Sequence, residues 1–80
     1  MLCDVCNAPT TREAGILVAP ERFRLLLAKG WGVHESNIRM VMQSGGSREE
    51  ALAMLTQHHA SSQSMWLLCP ACAAEAEKLL

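Results

Sequence analysis

Two cysteine pairs carry the most specific chemistry in this chain: Cys3-Asp4-Val5-Cys6 and Cys69-Pro70-Ala71-Cys72. They are its only cysteines, and both have C-x-x-C spacing. The turn of a C-x-x-C unit aims two sulfurs at one point, so two such turns can supply the four tetrahedral thiolates of a zinc cage. Cys3, Cys6, Cys69 and Cys72 are therefore the expected ligands of one structural Zn²⁺. A mononuclear iron site or an iron–sulfur cluster uses the same ligand set. Four protein ligands leave no open position for water or substrate, which points away from a catalytic metal. A sharper alternative treats Cys69 and Cys72 as a redox dithiol on a helix N-terminus, where thiolate is favoured. That reading lacks a thioredoxin-like βαβ context and leaves Cys3 and Cys6 without a role.

Other chemistry-bearing residues are fewer. His58 and His59 are adjacent and could supplement the ligands, but histidines at a helix end also complement its negative pole. His34 is a weaker candidate of the same kind. With the cysteines assigned to metal, no Ser/His/Asp or Cys/His catalytic set remains, and no enzymatic activity is expected. Asp4, Glu35, Glu49 and Glu50 read as caps and solvated charge.

The elements that must position the sulfurs follow from local sequence. Asn7, after Cys6, readily accepts a left-handed backbone and suits a tight knuckle. Residues 9–14 read as polar linker and 15–19 as a β-branched strand. Pro20 suits a first helical turn, Phe23, Leu26 and Leu27 share a face, and Gly30 ends that helix. Residues 31–35 form a connection with glycine hinges. Residues 37–43 fit both a strand and a helix, with helix preferred, and Ser44-Gly45-Gly46 is a break. Ser47 and Glu50 form a capping box opening a helix whose apolar face is read as Ala51, Met54, Leu55 and His58. Met65-Trp66-Leu67-Leu68 reads as a second strand. From Pro70 onward the alanine- and glutamate-rich run is strongly helix-forming.

One pair thus lies on a knuckle and the other on the first turn of a helix, each beside a strand. That order resembles a treble-clef zinc finger: knuckle, hairpin, helix. The resemblance covers residues 1–19 and 63–80, with a mainly helical insertion at 20–62 in place of a short turn. It implies a small α+β zinc-stabilised domain spanning 1–80, with Cys3 and Cys6 on the knuckle and Cys69 and Cys72 on the helix. Treble clefs bind nucleic acids, proteins and small ligands alike, so the resemblance does not fix a function.

Composition narrows the partners. The chain has 80 residues, 50% of them apolar, and a formal charge of −1. A core of this size contributes only about 3–5 kcal/mol, which favours a metal staple. The apolar excess suggests surface left for a protein partner or a second copy. Nucleic-acid binding would require Arg12, Arg22, Arg24, Lys29, Arg39 and Arg48 to gather on one face, and the overall charge gives no basic excess. Met40, Met42, Met54 and Met65 suit an adaptable binding surface, although core filling is their expected role. Trp31 and Trp66 are likewise read as core residues. No run approaches a membrane span, no secretory leader is expected, and paired cysteines suit a reducing cytosol.

Overall fold

A computed structural model describes residues 1–80. The order of elements is β1 (Ile16–Val18), α1 (Pro20–Ala28), α2 (Glu35–Met42), α3 (Arg48–Ala60), β2 (Trp66–Leu68) and α4 (Pro70–Leu79). The two strands pair antiparallel, with Ile16 opposite Leu68, Leu17 opposite Leu67 and Val18 opposite Trp66. The result is a small α+β fold in which three helices are inserted between the strands of one hairpin.

Each boundary has a local cause. Pro20 occupies the first turn of α1, whose end is a Schellman motif. There the Trp31 N–H donates to the Leu26 carbonyl and the Gly30 N–H to that of Leu27, with Gly30 at φ 84°. Only glycine takes that conformation without a side-chain penalty. Residues 37–43, equally compatible with strand and helix by pattern, fall largely in α2. Its start is fixed by His34, whose Nδ1 accepts from the Ser36 N–H at 3.1 Å. Ile38 alone is fully buried there, which removes the alternating pattern a strand would need.

At α3 the Ser47 hydroxyl accepts from the Glu50 N–H at 3.1 Å. The reciprocal half of the capping box differs from expectation: the Glu50 carboxylate accepts from the Ser47 hydroxyl at 3.4 Å. The buried face of α3 also needs correction. Ala51 and His59 are buried and Leu55 is half-buried, whereas Met54 and His58 face outward. A spacing of four residues, not the alternation of three and four, faces inward, with α3 packed on α2 and α1 and His59 reaching Trp66.

The main core joins the cysteines to Val5, Val18, Phe23, Leu26, Trp66, Leu68, Ala73 and Ala76. Phe23 stacks on Trp66 with ring centroids 3.9 Å apart and planes 1° from parallel. His59 lies 4.9 Å from Trp66, and Trp31 meets the edge of Phe23 at 6.3 Å. This aromatic group ties the inserted helices to the strand that leads into Cys69. Trp66 is buried and Trp31 half-buried, as core residues should be. The methionines are not: Met40, Met42, Met54 and Met65 are all exposed, Met40 by 62%. The aromatic cluster and the leucines already fill the interior, leaving the thioethers on the surface.

No helix is long and apolar enough to cross a membrane.

Candidate metal centre

The knuckle is a miniature ladder. The Cys3 N–H donates to the Ala8 carbonyl at 2.8 Å, the Asn7 N–H to that of Cys3 at 3.0 Å, and Leu2 bridges Pro9. Asn7 has φ 64°, the left-handed conformation its position demands. That turn brings the Cys3 and Cys6 sulfurs to one side. At the other end Cys69 is the N-cap of α4, and its Sγ accepts from the Cys72 N–H at 3.5 Å. Pro70 in the first turn sacrifices no hydrogen bond, because the helix has no carbonyl to offer its nitrogen.

Two clasps bring the pairs together. The Asp4 N–H donates to the Leu67 carbonyl at 2.8 Å, and the Leu67 N–H donates back to Asp4 Oδ2 at 2.6 Å. Asp4, read from sequence as a cap or solvated charge, is exposed and caps the Leu67 N–H, fastening the knuckle to β2. On the other flank the Asn37 amide donates to the Val5 carbonyl and accepts from the Asn7 amide, both at 3.3 Å. The insertion therefore braces the knuckle through α2. Asp4 inside a C-x-x-C unit, capable of capping an N–H, is the only sequence signal for the first clasp; the second has none.

The four sulfurs converge. All lie within 4.8 Å of one another, and Cys6 Sγ stands 3.6 Å from Cys69 Sγ across 63 positions of sequence. Sulfurs at the corners of a tetrahedron with metal–sulfur bonds of about 2.3 Å are about 3.8 Å apart. A disulfide would need about 2.05 Å, and all four cysteines are free. The cluster is buried apart from Cys6, which is half-buried. These four residues are positioned to bind a metal ion, and their arrangement is compatible with a zinc site. Neither His58, His59 nor His34 belongs to the cluster. His59 is in the aromatic core, His58 is exposed beside it, and His34 caps α2.

Electrostatics show how the cluster would respond to a cation. Burial pushes the Cys3 thiol up, but backbone hydrogen bonds involving Cys6, Cys69 and Val5 outweigh it and hold the pKa at about 7 against an ordinary 9.0. Burial raises Cys6, and the Cys69 thiol adds to that rise. Burial likewise drives Cys72 well above the ordinary thiol range, helped by hydrogen bonds to Cys6, Cys69 and Cys3 and by the Cys3 charge. One sulfur ionises readily, and its charge then opposes ionisation of its neighbours. A divalent cation at the centre reverses this, because a coordinated thiol is deprotonated outright.

Three of the basic residues have partners within the chain. Arg24 donates to the carbonyls of Ala60 and Ser62, Arg48 pairs with Glu35, and Lys29 donates to the Leu79 carbonyl. These are half of the six cations a nucleic-acid surface would draw on. Lys29 is exposed and satisfies a carbonyl at the end of α4.

The fold and cluster define a small α+β protein with four cysteines positioned to bind a metal ion. Comparison with protein-family models, with curated proteins and with solved structures finds no match to this chain.

Proposed function

We propose that this is a non-enzymatic, zinc-stabilised interaction module of treble-clef type, working as an adaptor or regulator in a reducing compartment such as the cytosol. One Zn²⁺ held by Cys3, Cys6, Cys69 and Cys72 is its structural staple. The knuckle, the hairpin and the cysteine-capped helix stand in treble-clef order, with α1, α2 and α3 as the insertion. The closed sulfur set supports a structural metal, since no coordination position is left for a substrate.

The observation that carries the interaction reading is the outward placement of methionine on the insertion, where Met40 and Met54 are 62% and 53% exposed. Flexible thioethers adapt to a partner's surface and are out of place in water unless something covers them. The surface offered is α2 and α3, and the partner is another protein. Two measurements test this reading. Native mass spectrometry should find one zinc per chain. Capture of a partner by the zinc-loaded protein should be lost in a Met40→Ser/Met54→Ser double variant that keeps its metal. Equal capture by both proteins would refute the assignment of that face.

A further inference from the structure

A second surface lies on the hairpin, away from the insertion. In an antiparallel ladder, residues alternate between pairs that exchange hydrogen bonds and pairs that do not. The backbone N–H and C=O of Leu67 are both taken by Asp4 on the outer side of β2. Leu17, opposite Leu67, therefore belongs to a pair without mutual hydrogen bonds. Its own N–H and C=O point to the free edge of β1. The two-stranded sheet has no further strand there.

Protein edges of this kind are normally guarded by shortness, charge, proline or a bulge, and this one has only its three-residue length and Pro20 just beyond it. Here the strand is Ile16-Leu17-Val18, with Ile16 and Leu17 each 46% exposed. Beside it an apolar groove of about 430 Å³ runs between the hairpin and α4, lined by Ile16, Val18, Leu68, Ala76 and Leu80 among others.

We infer that two copies of this chain associate through β1, pairing antiparallel about a twofold axis at Leu17. The strand suits pairing with itself. Centred on Leu17, the register sets Leu17 opposite Leu17 of the other copy, where each can donate its free N–H to the other's free carbonyl. It sets Ile16 opposite Val18, a β-branched pair on the face that carries Leu68 and the groove. The result is a continuous four-stranded sheet whose apolar floor runs on from one groove to the next. Charge favours a second copy over a partner of single sign. Arg22 and Glu77 both line the groove, and neither makes a salt bridge or side-chain hydrogen bond within the chain. Two copies facing each other across a twofold axis bring both signs to both sides, whereas a strongly acidic or basic partner would be repelled by one of them. This goes beyond the adaptor reading by naming the occupant of a different face, and a failed dimer leaves that reading standing.

The test uses the full zinc-loaded chain in sedimentation equilibrium over a concentration series, with metal content and circular dichroism as controls of folding. The wild type should show reversible dimerisation. Leu17→Lys and Leu17→Glu each place like charges face to face on the axis and should weaken it about tenfold or more. An equimolar mixture of the two variants should associate again, because unlike charges then meet. That rescue is specific to self-pairing at this position. A wild type that remains monomeric up to millimolar concentration overturns the inference, even if it binds an extended apolar peptide along the same edge. Variants that dimerise like the wild type overturn it, as does a mixture that fails to recover.

Discussion

Replacing Cys72 by serine removes one corner of the sulfur cage while leaving nearly the same volume at the start of α4. A structural zinc contributes roughly 10–16 kcal/mol of folding free energy in small domains. Shared among four ligands, one corner carries about 2.5–4 kcal/mol. A chain of 80 residues has an unfolding entropy of about 170 cal/mol/K at its midpoint, taking about 2.1 cal/mol/K per residue. The midpoint should therefore fall by about 15–24 °C. Because the site joins both ends of the chain, Cys3→Ser should produce a drop of similar size. Thermal unfolding followed by circular dichroism, with zinc stoichiometry from native mass spectrometry, measures both consequences in one preparation. The two losses must travel together. If Cys72→Ser lost its metal but melted within a few degrees of the wild type, the metal would not be the staple. If Cys3→Ser and Cys6→Ser were harmless while Cys69→Ser and Cys72→Ser were not, the sulfurs would be acting as separate pairs and the dithiol account would be preferred.

Four further outcomes are expected. Asp4→Ala leaves the Leu67 N–H without its carboxylate acceptor and should cost roughly 1.5–3 kcal/mol, seen in denaturant titration, with faster metal loss to a chelator; unchanged chelation kinetics would separate the clasp from the site. His59 is buried with both ring nitrogens unpartnered, so His59→Phe, which keeps the ring against Trp66, should stabilise the domain by about 1 kcal/mol or more in the same titration. Burial, with a smaller contribution from His58, lowers the His59 pKa below its ordinary 6.5. The unfolded chain therefore binds the extra proton, and this part of the stability is complete above pH 6.5 and lost as pH falls towards the lower folded value. The wild type should lose more stability than His59→Phe across that range, and parallel pH profiles would contradict the assignment. Gly15→Ala would place a Cβ 2.5 Å from the Leu68 carbonyl oxygen, forcing β1 away from β2 at a cost of about 1–3 kcal/mol; a melting temperature equal to wild type would refute the close approach.

Much of this architecture was legible in the residues because its signals are local. Asn7 after Cys6, Pro20, Gly30, Ser47 with Glu50, and Pro70 each satisfy a backbone requirement within a few positions, and each sits where that requirement arises. The four cysteines were legible for a different reason: no other residue combination offers so closed a ligand set. What pattern could not reach were the contacts between distant segments. The pairing of Ile16–Val18 with Trp66–Leu68 across three helices was expected only through the treble-clef resemblance, since nothing in either strand names the other. Asp4 became a clasp only through its approach to Leu67. The inward face of α3 was misread because Met54 and His58 fit a helical stripe as well as Leu55 and His59 do. The choice was made by Phe23 and Trp66, whose stacked rings accept the His59 ring. Methionine was expected inside and found outside, since hydropathy ranks residues without knowing how much interior a small fold has to fill.

The sulfurs that meet at the centre are made far apart in time. Cys6 leaves the ribosome well before Cys69, and at about 5–20 residues per second the 63 positions between them take roughly 3–13 s to synthesise. During that interval the nascent chain cannot close its four-sulfur cluster. Closure of the cluster is consequently a late event in maturation, and a translation product that stops short of Cys69 has no way to complete it.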